Sequence, residues 1–400
     1  MNKKVELLAP AGSLEKLKIA YLYGADACYI GGKKFSLRAR ASNFSLDDIK
    51  EAAKFANSLN KKLYVTMNIV PHEDDFNDLE EYLKYLEEVN VTGIIVSSMY
   101  IAKKCMEVAK KLEVHLSTQC SCSNSEAVKF YEKQGFHRVV LAREVSLEKI
   151  KEINSKIGIE TEVFIHGGMC VSYSGRCMLS NHMTNRDANR GGCAHSCRWN
   201  YDLYDGDKRL NNQCEYLNMG SKDLMAVDYI YDLIDGGVSS LKIEGRMKSL
   251  YYITCVVKCY RDIIDCYYEG KKFTKTLSDY FKCEIGKAEN RLASTGFLNG
   301  MVTLNEQLYN VRSEMPTKDF LGIVLDYNEK TEEVTLEQRN YFKKGDLVEF
   351  FGPNVDNVSF ELGTIYDENN EELDVARHPL QIIKFKLPFK VSKNVMMRKK

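Results

Sequence analysis

Along the first 170 residues, short apolar and β-branched runs alternate with amphipathic stretches of helical period. The runs Val5–Ala9, Ala27–Gly31, Leu63–Asn68, Gly93–Ser97, Val114–Thr118, Arg138–Ala142 and Glu162–His166 read as strands. Between them, Ser45–Ser58, Asp78–Val89 and Ser146–Ser155 carry the apolar spacing of helices. Ser45-Leu-Asp-Asp and Ser146-Leu-Glu open two of these with an N-cap followed by acids. Such alternation implies parallel strands joined by right-handed crossovers. A further helix around Asp223–Ile234 and an eighth strand, Ser240-Leu-Lys-Ile-Glu-Gly, complete the set. The expected class is α/β, a closed (β/α)8 TIM-like barrel over residues 1–278. An open doubly wound sheet is the alternative, disfavoured because no G-x-G-x-x-G follows the first strand.

Beyond residue 278 the pattern changes. Residues 279–314 read as a helical linker, and residues 315–400 as a small all-β domain. Its strands are expected at Leu321–Asp326, Glu333–Leu336, Asp346–Phe351 and Ile382–Leu387, separated by Gly-Asp and Gly-Pro turns.

Composition narrows the function classes. The formal net charge is zero, which argues against coating nucleic acid through bulk electrostatics but leaves room for a local footprint. The last seventeen residues, Lys384 to Lys400, hold seven Lys or Arg and no acid. A solvated terminus is the plainer reading of that run. No run approaches the roughly 20 apolar residues of a membrane span, and Met-Asn-Lys-Lys-Val-Glu-Leu-Leu-Ala-Pro lacks the pattern of a signal peptide, so a cytoplasmic protein with no membrane partner is expected. In that compartment thirteen cysteines point to metal or reduced thiols rather than disulfides.

Four of those cysteines, Cys170, Cys177, Cys193 and Cys197, fall in a glycine-rich polar segment spanning 162–200. A segment with few aliphatic residues has no face to bury, so thiols there are poor candidates for core filler. Two chemistries fit four thiolates: a tetrahedral zinc site or an iron–sulfur cluster. Zinc ligands usually come in pairs two to four residues apart, which suits Cys193/Cys197 but not Cys170/Cys177. The wide first spacing therefore favours the cluster. The segment also follows the seventh strand, at the end of the barrel where active sites sit. By contrast Cys255, Cys259 and Cys266 share one face of a helical stretch and read as core, as do Cys28, Cys120 and Cys122 as barrel wall.

Polar residues at the strand ends are the expected substrate contacts: Asn68, Gln119, Arg143 and Arg246, with His166 and Glu244 as catalytic candidates. Two guanidinium groups would suit a carboxylate, which they bind in bidentate fashion. An ion pair closing the barrel is an equally good reading of Glu244 and Arg246. Familiar hydrolytic signatures are missing. His72-Glu73 begins like H-E-x-x-H, but Phe76 stands where the second His belongs, and there is no G-x-S-x-G elbow or P-loop.

Several motifs together resemble the collagenase-like peptidase family U-32. They are Glu162-x-Phe164-x-x-Gly167-x-x-Cys170, Ser174-Gly175-x-Cys177-x-x-Ser180, Arg186-Asp187-Ala188-Asn189-Arg190-Gly191-x-Cys193-x-x-x-Cys197-Arg198-Trp199 and Lys242-Ile243-Glu244-Gly245-Arg246-Met247-Lys248. Leu8-Ala9-Pro10-Ala11-Gly12, Ser117-Thr118-Gln119 and Arg339-Asn340-x-Phe342-x-x-Gly345-Asp346 match as well. The full-length architecture is most similar to the family's tRNA-hydroxylation branch. That resemblance implies oxygen-independent conversion of a wobble uridine of tRNA to 5-hydroxyuridine, with a 4Fe-4S cluster on the four cysteines and prephenate as co-substrate. It also implies tRNA as partner, together with an electron donor it does not identify and a homologous partner subunit. Phosphate contacts are then expected from Arg186, Arg190, Arg198, Lys390 and Lys393. The competing readings are a hydrolase, as the family's older name suggests, hydroxylation of another RNA or small aromatic substrate, and an assembly factor without catalysis of its own.

Overall fold

The computed structural model describes residues 4–37, 43–288, 291–308, 319–353 and 355–400; the expected boundary at 314/315 lies outside them. Seven strands, β1 (Glu6–Pro10), β2 (Ala27–Gly31), β3 (Lys62–Met67), β4 (Gly93–Val96), β5 (Glu113–Leu116), β6 (Arg138–Val140) and β7 (Glu160–Gly167), pair in sequence order, all parallel. Helices α1 (Leu14–Leu22), α2 (Leu46–Ser58), α3 (Leu79–Glu88), α4 (Met99–Val108), α5 (Ser125–Lys133) and α6 (Leu147–Asn154) form the crossovers. After β7 come α7 (Leu179–Thr184), the hairpin β8 (Tyr204–Asp205) and β9 (Lys208–Arg209), β10 (Asp223–Met225) and α8 (Ile230–Asp235). The eighth barrel strand, β11 (Ser240–Ile243), pairs with both β1 and β7 and closes the sheet. The expected (β/α)8 class is the observed one. α2 starts on a Ser45–Asp48 capping box, the local signal its sequence carried.

Two expectations change. Asp223–Met225 is a strand antiparallel to the end of β7, and only Ile230–Asp235 of the expected helix is α-helical. Past β7's partners, that strand's last backbone groups still need bonds, and Leu224 and Met225 supply them. The stretch after the barrel is helical only at first: following α9 (Leu250–Tyr268) and α10 (Lys275–Gly286), Ala293–Ser294 (β12) adds to β10.

Barrel strands alternate inward and outward, except where a register shift interrupts β7 against β11. Inward positions hold Leu8, Ala27, Tyr29, Tyr64 and Ile95 as a small apolar layer, while outward ones join the core against the helices. The floor of the barrel is charged. Arg138 Nη1 lies 2.5 Å from Glu6 and 3.1 Å from Glu162, and Lys242 Nζ 2.7 Å from Glu162. Each ion there has an opposite partner, the condition under which buried charge is tolerated.

The C-terminal region folds into an eight-stranded antiparallel sheet around its own core. Its last strand, Met396–Lys399, lies between Phe320–Asn328 and Leu347–Gly352. Met397 packs into the β domain, whereas Met396, Phe351 and Ile323 join the barrel's core, so this strand is covered on both faces. Tyr251 stacks on Phe320 across the same contact, with ring centroids 4.9 Å apart.

Candidate active site at the barrel mouth

The C-terminal ends of the barrel strands surround a cavity of about 760 Å3. Its roof is the segment after β7, which is tied to three neighbouring loops. Arg190 Nη1 bonds Asp75 at 2.5 Å and the Val70 carbonyl at 2.7 Å. Ser174 donates from its backbone N–H to Glu144 at 3.0 Å. Ser121 donates to the Ser174 carbonyl, and Arg176 Nε to Ser121 Oγ at 3.2 Å. Gly175 makes the close approach possible: at φ +76°, a Cβ there would meet the Gln119 carbonyl oxygen at 1.9 Å.

Asn68, Gln119, Arg143, Glu244 and Arg246 all line this cavity, as do the four thiols of Cys170, Cys177, Cys193 and Cys197. Strand ends that are far apart in sequence thus converge on one opening. Arg246 is 4% exposed, with Nη1 donating to Ser36 Oγ at 2.9 Å and Thr66 Oγ1 at 3.0 Å. Room for it exists because residue 31 is glycine; a Cβ at Gly31 would lie 2.1 Å from Arg246 Nη1. Arg143 is more open, its guanidinium carbon 3.9 Å from the centre of the Phe164 ring. Asn68 Oδ1 accepts from the Leu37 N–H at 3.4 Å.

His166 does not face the cavity. A bulge between Lys242 and Ile243 shifts the register of β11 against β7, so His166 pairs beside Ile243 and turns toward α9. There its Nδ1 lies 3.2 Å from Tyr260 Oη, and its ring packs on Tyr252 and Tyr260. Burial, with Lys248 nearby, pushes its imidazolium pKa down to about 3. The structure therefore places the candidate His166 outside the cavity lining: strict alternation from Glu162 and Phe164 would have aimed it inward, and the bulge reverses it.

Lys242 and Phe164 are cavity-lining residues to which the sequence reading assigned no role. Lys242 Nζ sits 4.6 Å from the Tyr29 ring centre and 5.4 Å from that of Phe164. Burial lowers its pKa, although Glu162 acts against that. Burial would also raise the Glu162 carboxyl, but Lys242 and Arg138 outweigh it and hold it near 2. The signal that could have found both was the inward parity of β7 and β11.

Burial raises the Cys197 thiol pKa; the Arg198 charge opposes this, and negative charge on Cys170, Cys193 and Cys177 adds to it. Burial likewise raises Cys170. Arg198 also lines the cavity, with Nη2 donating to the Met169 carbonyl at 3.2 Å, and Arg291 pairs with Asp223 at 3.2 Å. An all-thiol donor set beside guanidinium groups suits a group that carries negative charge once its thiolates form. Among the described residues, no three His, Cys, Asp or Glu side chains lie close enough together to hold a single metal ion. Lys390 and Lys393 stand on the β domain, outside the cavity lining; Lys390 pairs with Glu329. No helix of the described residues is long and apolar enough to cross a membrane.

Comparison with known proteins places these residues in a family context. The model of Peptidase family U32 matches residues 12–307, and that of the family's C-terminal domain matches 316–398. The tRNA hydroxylation protein P1 of Bacillus subtilis is 50% identical over 404 residues, covering 100% of this chain and 96% of the relative. A 23S rRNA 5-hydroxycytidine synthase of Escherichia coli is 39% identical over 289 residues, 72% of this chain and 43% of the relative. A protein of Porphyromonas gingivalis named Collagenase is 34% identical over 312 residues, 74% and 72% of the two chains.

Proposed function

The chain belongs to Peptidase family U32, and from that premise we propose that it hydroxylates RNA, converting the wobble uridine of tRNA to 5-hydroxyuridine without molecular oxygen and in dependence on prephenate. The observation that carries this reading is its likeness, along the whole chain, to the Bacillus tRNA hydroxylation protein P1. Cys170, Cys177, Cys193 and Cys197 would hold a 4Fe-4S cluster, which supplies one-electron chemistry when bound. That all four cysteines line one cavity, with the wide Cys170/Cys177 spacing that is unusual for zinc ligands, supports the cluster reading. Arg143 and Arg246 bind the carboxylated co-substrate, the second already oriented by Ser36 and Thr66. Glu244, on the cavity wall, holds or releases a proton at its carboxylate.

Two measurements test this reading. Nucleosides of tRNA from a strain lacking the chain should contain no 5-hydroxyuridine, and an unchanged profile would overturn the assignment. Anaerobically purified protein should contain iron and sulfide, lost in Cys197→Ala and kept in Cys259→Ala. Stoichiometric zinc without iron would sink the cluster. The name of the Porphyromonas relative favours a hydrolase instead; release of peptides from gelatin, abolished by Glu244→Gln, would support that alternative.

A further inference from the structure

The roof of the cavity is both basic and apolar on its outer side. Between Gly168 and Asn200 it carries four arginines, Arg176, Arg186, Arg190 and Arg198, against one acid, Asp187, in a chain that is neutral overall. Large side chains there face solvent: Tyr173 is 58% exposed, Met178 53% and Trp199 42%. Met247, 59% exposed, joins them from the loop after β11 and lines the same cavity. Tyr173 lines the main cavity and also a second one of about 490 Å3, so it stands as a ridge between them. Tyr173 and Met247 line the opening itself, and exposed apolar side chains around an opening mark a binding surface.

The charges indicate what that surface binds. Arg190 is engaged by Asp75 and serves to hold the roof down. Arg186 Nη2 and Arg198 Nη1, by contrast, are buried without a hydrogen-bond partner among the described residues. A segment with four arginines to one acid and several exposed rings carries the two contacts an unpaired nucleic-acid strand needs, phosphate pairing and base stacking. A cavity of about 760 Å3 admits a nucleotide but not a duplex, so whatever enters must be unpaired at that point.

We propose that Tyr173 and Trp199, with Met247 at the rim and Arg176 and Arg186 beside them, form a stacking platform for the unpaired RNA nucleotides that flank the one entering the cavity. This rests on the RNA reading above and names the surface that selects a loop over a helix. The platform is independent of the β domain's lysines.

The test uses the full-length protein, prepared anaerobically, and a short RNA stem–loop carrying an anticodon loop, with an RNA duplex of equal length as competitor. Tyr173→Ala and Trp199→Ala should each weaken stem–loop binding about tenfold, Tyr173→Phe should restore it, and the duplex should compete poorly. Tyr173→Ala should leave the slope of affinity against salt unchanged, whereas Arg176→Ala should reduce it by about one. Wild-type binding by both alanine variants overturns the platform and leaves the RNA reading standing. No binding by the unaltered chain overturns the RNA reading itself. Loss of a concentration-dependent dimer in the alanine variants, with RNA affinity intact, would make the surface an interface between copies and also overturn the platform.

Discussion

Arg398 in the last strand reaches two carboxylates, Glu349 at 2.7 Å and Glu284 at 2.5 Å, and is 1% exposed. Arg186 and Arg198 in the roof keep guanidinium nitrogens that meet no acceptor among the described residues. Both regions are rich in cations, yet the first uses its charge to join two domains while the second holds four arginines against a single acid of its own, Asp187. Lys400 also turns inward to Glu349 at 2.9 Å, and Lys384 bonds the Glu368 carbonyl and Asn370 at 3.0 Å. A basic run becomes a footprint for a polyanion only where the fold supplies no acids to absorb it. For this reason the roof, rather than the C-terminal run, is the stronger candidate for gripping phosphate.

The sharpest way to break that comparison is at Arg398. Arg398→Met removes the guanidinium that Glu284 and Glu349 share, leaving them Lys287 and Lys400, and should cost about 3 kcal/mol in chemical denaturation. RNA affinity of the folded fraction should not change. The loss should depend on pH with a definite sign. Burial would raise the Glu349 carboxyl, but the Lys400 hydrogen bond and the Arg398 charge hold it to about 2, below its ordinary 4.5. A depressed carboxyl stabilises the fold above pH 4.5, and that contribution disappears as the pH falls toward 2. The difference in stability between wild type and Arg398→Met should therefore be largest near neutrality and shrink across that window. A difference that grows on acidification would rule the account out.

A smaller effect is expected in the roof. Gly175→Ala forces a side chain into a left-handed backbone against the Gln119 carbonyl, at a cost of about 1–3 kcal/mol. It should be felt locally: labelling of Cys177 and Cys193 by a thiol reagent should accelerate, while the barrel's unfolding midpoint moves little. Global unfolding without faster labelling would mean the roof is integral to the barrel.

The smallest effect belongs to Lys390, which like its partner Glu329 is largely exposed. Lys390→Ala should leave both the melting temperature and stem–loop affinity unchanged within error. A clear drop in RNA binding would return the footprint to the β domain.

Much of the architecture was legible in the sequence because alternation and capping are local. β2 begins and ends where its apolar run does, and α2 begins at its capping box. The convergence of Asn68, Gln119, Arg143 and Arg246 with the four cysteines followed from one rule, that barrel strands present their C-terminal ends together. His166 lies outside the cavity lining because a single extra residue in the β7–β11 register inverts every parity beyond it, and nothing local announces such a bulge. Lys242 and Glu162 stood in a recognised motif, but their burial as a pair shows only when β7 and β11 are laid side by side.

What the sequence determined by itself was the period of each element, their order, and which segment could carry thiolate chemistry. The destination of each charge was decided by tertiary structure. Arg398 meets Glu284 across 114 positions of chain, and Arg190 meets Asp75 across 115. Periodicity is written within a few neighbouring residues, whereas ion pairing depends on distances that exist only once the chain has closed on itself.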